Sequence, residues 1–144
     1  MIRQEIRYMI KPIVRDALFL SQKSEEATKA DLPVVTDLED TLRANRERCV
    51  GMAANMIGFR KKIIIVATGL ADIVMINPVI TEKSGPYETE EGCLSLPGVR
   101  KTTRYQKIMV RYLDKKFAEH TQNFSGYIAQ IIQHEIDHFS GKLI

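Results

Sequence analysis

His134-Glu135-Ile136-Asp137-His138 constrains this chain more than any other segment. Residues four apart lie one turn apart on the same face of a helix, so a helix here brings both histidines to one metal ion. Glu135 then sits beside that ion, where it can take and give protons. The chain has only three histidines, and two are spent here. A catalytic metal site usually has three protein ligands and keeps one position open. Only Phe139 to Ile144 follow the motif, and none is a His, Asp, Glu or Cys. The third ligand is therefore expected upstream, where the best candidate is a cysteine.

At 144 residues the chain is long enough for one domain with its own core and short for two, so 1–144 is expected to be a single domain. A hydrophobic content of 44% and a charged content of 27% are ordinary for globular protein. The net charge of +3 is spread along the chain and is not the dense basic footprint of a nucleic-acid binder. The tightest cluster, Arg60-Lys61-Lys62, reads as a solvated turn. Apolar runs such as Ile63 to Ala67 are too short to span a bilayer. Met1 to Ile10 alternates charge and apolarity and lacks the apolar core of a signal peptide. The expectation is a cytoplasmic protein with no membrane and no nucleic-acid site. Its two cysteines, Cys49 and Cys93, are too few for a disulfide scaffold and are expected to be free or metal-bound.

Ser21 to Lys29 is polar and reads as a loop. Asp31 reads as an N-cap with Pro33 in the first turn, and Leu32, Val35, Leu38 and Leu42 follow at helical spacing, predicting a helix over about 31–48. Ile63 to Thr68 reads as a strand, and Ile73 to Thr81 as strand material broken at Asn77-Pro78. Lys83 to Tyr87 reads as a turn. Gln106 to Leu113 and Phe117 to Phe124 read as a strand pair. Ser125 is placed to cap a helix over about 126–139 that carries the histidines, with Gly141 as its stop. This order predicts an α+β fold, with antiparallel sheets packed around a C-terminal metal-binding helix.

Glu91-Gly92-Cys93-Leu94-Ser95 is the second informative segment. A lone loop cysteine is more often a small buried hydrophobe. Beside a histidine pair that lacks a downstream ligand the reading reverses, because a thiolate is a strong metal ligand. Cys93, His134 and His138 would then make three protein ligands and one open position.

These two segments, with Gln133 before the histidines and Leu96-Pro97-Gly98-Val99-Arg100 after the cysteine, resemble the peptide deformylases, from about residue 30 onward. The resemblance implies removal of the formyl group from the N-terminal formylmethionine of nascent proteins. It implies one divalent metal on Cys93, His134 and His138, physiologically iron(II), with zinc, nickel or cobalt compatible. It makes Glu135 the proton carrier from attacking water to leaving amine, and the Leu94 N–H an oxyanion donor. It puts Val50, Gly51, Glu91, Gly92, Tyr127, Gln130 and Ile131 in the substrate pocket. N-formylmethionyl peptides and nascent chains are the expected partners, with transient ribosome contact.

The chain departs from the family pattern in two places. The family's G-x-G-x-A-A-x-Q motif falls on Cys49 to Met56, so Cys49 replaces a glycine and Met56 the glutamine. That glutamine donates toward the formyl oxygen in the family, and methionine has no N–H to offer. Losing one such donor typically costs about 10²–10³ in kcat. Asn55, one position away, is not expected to compensate. Gln130 stands where the family pocket is usually apolar, either meeting solvent or reaching into the site to alter specificity or replace the donor. Glu91 is expected to pair with Arg104 or Arg100 and brace the cysteine loop. A deformylase-like paralogue with weak or absent deformylation remains the alternative. A small metalloprotease or a closed structural metal site is disfavoured by the missing downstream ligand and by Glu135.

Overall fold

The computed structural model describes residues 10–143, so the charge alternation read over Met1 to Ile10 lies outside the described residues except at Ile10. Among the described residues no helix is long and apolar enough to cross a membrane.

Five strands form one antiparallel ladder in chain order: β1 (Gly51–Ala53), β2 (Ile63–Ala67), β3 (Asp72–Gly92), β4 (Val99–Leu113) and β5 (Glu119–Ser125). The expected antiparallel sheets thus run as one continuous sheet. Helix α1 (Leu32–Ala44) and helix α2 (Gly126–Asp137) both pack against β1 and β2. Ile63 to Val66 of β2 are all buried, so both faces of this strand are covered. Leu38, Leu42, Met52, Met75 and Ile132 are buried around it and form the core.

Both expected helices end early, β4 starts at Val99 rather than Gln106, and β5 runs Glu119–Ser125 rather than from Phe117. Helix α1 ends at Ala44, four residues early, and a short 3₁₀ turn, Lys29–Asp31, precedes it. Asp31 occupies the N-cap position, but its carboxylate accepts the Thr28 N–H instead of capping α1. Likewise Ser125 precedes α2 with no side-chain cap. The histidine helix stops at Asp137, and a 3₁₀ turn, His138–Ser140, finishes it before Gly141 in left-handed conformation.

The turn expected over Lys83 to Tyr87 is instead continuous strand. Gly85 takes a positive φ of 71°, which bends β3 without ending it, and pairing resumes at Pro86 opposite Tyr105. The hairpin tip lies further on, at 93–98, with Gly92 opposite Val99. Asn77-Pro78 does interrupt β3, as a register shift between Ile76 and Val79. Proline is tolerated at such a bulge because no ladder N–H is needed there. Asn77 itself is left-handed, and its amide accepts from the Ala27 N–H (2.8 Å) and donates to the Ala27 carbonyl (3.0 Å).

The end of α2 is locked to the N-terminal segment. The Ser24 N–H donates to the Phe139 carbonyl (2.8 Å). Gly141 has φ 78°, and a Cβ there would strike the Ser21 carbonyl. Gly141→Ala is therefore expected to destabilise the fold by at least about 1–2 kcal/mol from the left-handed backbone alone, read as a lower midpoint in thermal unfolding. An unchanged midpoint would contradict this account of the lock.

Candidate metal centre

The long β3–β4 hairpin carries Cys93 to its tip, and α2 with the 3₁₀ turn that finishes it brings His134 and His138 up against that tip. The Cys93 sulfur and one ring nitrogen each of His134 and His138 lie within 4.8 Å of one another. Cys93 Sγ is 3.6 Å from His138 Nε2. Ligand atoms around a tetrahedral zinc-sized ion sit roughly 3.5 Å apart, so this spacing suits one cation. A thiol with two imidazoles is also the donor chemistry that holds borderline-soft divalent metals.

The second ring nitrogen of His134 is already spoken for. His134 Nδ1 donates to Glu91 Oε1 at 2.8 Å, which fixes the tautomer and leaves Nε2 for a metal. Glu91 is the next-to-last residue of β3, two before Cys93, and its carboxylate is buried. Arg104 answers the charge, donating from Nη2 to Oε1 at 2.7 Å and from Nε to Oε2 at 3.0 Å. Gln130 Nε2 donates to Oε2 at 2.8 Å. Burial alone would raise the Glu91 carboxyl, but the hydrogen bonds from His134, Arg104 and Gln130 outweigh it and hold it well below the usual range. Burial likewise works against a charged His134, and its bonds to Cys93 and Glu91 push it up instead. His138 is pushed down by burial, then by the charge on His134.

Arg104 does more than neutralise Glu91. Its Nη1 donates to Asp137 Oδ2 at 2.6 Å, so one guanidinium joins the cysteine hairpin to the histidine helix. Asp137 is thus an anchor. Arg100, the other expected partner, lies directly opposite Glu91 in the ladder but donates to the Pro97 carbonyl. Gln133 makes a second join. Its amide exchanges two hydrogen bonds with the Tyr105 backbone, at 2.8 and 2.9 Å, acting as a short strand where β4 runs past β5.

Glu135 is buried, and its Oε1, 3.8 Å from His138 Nε2, has no hydrogen-bond partner among the described residues. Burial raises its pKa to about 7, opposed by the nearby charge on His134. An orphaned, buried carboxylate oxygen beside one of the three donor residues calls for a bound cation or its water, so the residues present fit a divalent metal.

A cavity of about 460 Å³ opens beside these groups. Val50, Gly51, Glu91, Gly92, Leu94, Tyr127, Gln130 and Ile131 all line it, together with Cys93, His134 and Glu135. The Leu94 N–H carries no protein partner among the described residues, whereas its carbonyl accepts from Arg15. Met56 lines the same cavity, and its sulfur accepts the Ala53 N–H at 3.4 Å. Asn55 turns away, donating to the His138 carbonyl at 3.3 Å. Cys49 also lines the cavity but stays a thiol: burial and the nearby Glu135 push its pKa up to about 12, and it donates to the Gly51 carbonyl. Both cysteines are free. His120, far from the site, is an exposed partner of Asp114.

Sequence reasoning missed Tyr87, whose hydroxyl donates to Gln130 Oε1 at 3.3 Å. Tyr87 and Glu91 share a strand face by the two-residue period, a signal hidden by reading 83–87 as a turn.

Known proteins resemble this chain in sequence and in fold. Residues 6–144 match the family model described as polypeptide deformylase. A peptide deformylase from Clostridium beijerinckii is 62% identical over 136 residues, covering 94% of this chain and 100% of the relative. The Thermotoga maritima peptide deformylase structure superposes with a TM-score of 0.84 at 28% identity, over 93% of this chain and 94% of that one. The Met-Ala-Ser-bound class I type b peptide deformylase from Acinetobacter baumannii gives 0.83 at 28% identity, over 93% and 96%.

Two substitutions test the site's construction. Replacing Arg104 with Met strands the buried Glu91 carboxylate, which typically costs about 3–5 kcal/mol, read by denaturant unfolding; a cost below 1 kcal/mol would contradict the brace. A Cβ at Gly51 would lie 2.6 Å from Ile131 Cγ2 and 3.0 Å from Glu135 Oε2. Gly51→Ala is therefore expected to cut kcat/KM by on the order of 10²-fold while the protein still folds, and wild-type kinetics would refute that close approach.

Proposed function

The chain belongs to the peptide deformylase family and is a deformylating, metal-binding hydrolase, and we propose that Cys93, His134 and His138 hold its metal while Glu135 moves the proton. The observation that carries this reading is the meeting of the three donor atoms within 4.8 Å beside an unpartnered buried carboxylate. A divalent cation bound there supplies a Lewis acid and lowers the pKa of water into the neutral range. Iron(II) is the native metal in this reading, with zinc, nickel and cobalt able to substitute.

The residues of the chain do the remaining work. Glu135 takes a proton from the attacking water and returns it to the departing amine, a role its buried position beside His134 and His138 suits. The unpartnered Leu94 N–H donates to the oxygen that gains charge at the formyl carbon. Val50, Tyr127, Ile131 and the methylenes of Gln130 present apolar surface for the methionine side chain. Gly51 and Gly92 complete the cavity wall on the substrate side, Gly51 leaving room for the Ile131 and Glu135 side chains. A Met-first peptide is bound in the Acinetobacter baumannii relative, which supports N-formylmethionyl peptides as substrates here. Nascent chains in the cytoplasm, met in transient contact with the ribosome, are the physiological source of such peptides.

Met56 leaves the site with one oxyanion donor fewer than the family pattern. Formate release from formyl-Met-Ala-Ser by iron(II)-loaded protein tests the reading. Turnover is expected, and Glu135→Gln should lower kcat by about 10²–10⁴ while metal stays bound. Retained turnover in Glu135→Gln would overturn the assignment. Met56→Gln should raise kcat, up to about 10²-fold, with little change in KM; an unchanged kcat would show that no donor is needed from this position.

A further inference from the structure

We infer that Gln130, held in place by Tyr87, is a positioning residue that locks the Glu91 carboxylate and through it the His134 ring. The inference rests on the metal-centre reading above. Gln130 and His134 stand one turn apart on α2, and each grips a different oxygen of the same carboxylate. His134 Nδ1 donates to Oε1 at 2.8 Å, and Gln130 Nε2 donates to Oε2 at 2.8 Å. Arg104 reaches both oxygens from β4. With Arg104 alone, the carboxylate is held from one side only and can tilt. The added donor from α2 closes the frame, so the plane of Glu91 and the ring of His134 are set together.

Tyr87 gives the Gln130 amide its direction. A carboxamide has a donor end and an acceptor end, and only the donor end can face a carboxylate. The Tyr87 hydroxyl donates to Gln130 Oε1 at 3.3 Å, which turns the NH₂ group toward Glu91. Tyr87 and Glu91 lie on one face of β3, and Tyr87 is directly opposite Arg104 in the ladder. One strand therefore carries both the carboxylate and the group that orients its second donor. A leucine at 130 would remove this support and leave Oε2 to Arg104.

Losing an outer partner of a metal-binding histidine typically weakens metal affinity about 10–100-fold. Gln130 acts one bond further out, so about 10-fold is expected for Gln130→Leu. The experiment titrates the full-length protein with cobalt(II) against a chelator, records the cobalt visible spectrum, and measures kcat and KM on formyl-Met-Ala-Ser. Gln130→Leu should weaken cobalt binding and shift the spectrum. Tyr87→Phe, a milder change that leaves packing intact, should weaken binding about threefold, and the double variant should be no weaker than Gln130→Leu, as expected for groups acting in series. Unchanged cobalt affinity and spectrum in Gln130→Leu would overturn the inference. A change confined to KM for formyl-Met against formyl-norleucine peptides, with cobalt affinity and spectrum unmoved, would also overturn it, leaving Gln130 a substrate contact and nothing more. If the unaltered protein took up no cobalt, the metal-centre reading would fall and this inference with it. Normal uptake with no effect of Gln130 would defeat this inference alone.

Discussion

The buried carboxylate of Glu91 is the interaction on which the rest of the site depends. An ionised carboxylate out of water is costly unless paired and fully hydrogen-bonded. Here Arg104, His134 and Gln130 all donate to it. These donors come from β4 and α2, so neutralising one charge also fixes the hairpin against the helix. Cys93 follows Glu91 by two residues, and His138 follows His134 by one turn. Satisfying Glu91 thus brings sulfur and imidazoles together before any cation is considered. Asp137 and Gln133 repeat the join on either side, through Arg104 and the Tyr105 backbone.

The same frame explains how the site divides its two carboxylates. Glu91 is surrounded by donors and stays charged, whereas Glu135 is buried with one oxygen unpartnered and is pushed toward neutrality. Glu91 serves as a fixed counter-charge, and Glu135 is the proton carrier of the proposed mechanism, a separation set by environment and not by residue type. The cavity beside them departs from the family pattern at Met56 and Gln130, and these positions differ in kind. Met56 has lost a donor, while the Gln130 donor is already engaged by Glu91.

Local periodicity made the helix of His134 and His138 legible, because ligands one turn apart need no knowledge of the rest of the fold. Cys93 was legible from chemistry, once the histidines lacked a downstream partner. The sheet was harder. Gly85-Pro86 has the composition of a turn, yet pairing with β4 carries the strand through it, and tertiary hydrogen bonds overrode local preference. That misreading hid Tyr87. The choice between Arg100 and Arg104 for Glu91 was open for a related reason. Register puts Arg100 opposite Glu91, but only Arg104 also reaches Asp137 on the helix, which sequence spacing does not reveal. Likewise Asp31 and Ser125 occupy N-cap positions without capping; the Asp31 carboxylate accepts the Thr28 N–H instead.

X-ray absorption at the metal edge of the cobalt- or zinc-loaded protein tests the central claim most directly. One sulfur and two imidazole nitrogens at bonding distance, with the sulfur lost in Cys93→Ser, is the predicted result. A coordination shell with no sulfur, or one closed by a fourth protein ligand, would contradict it.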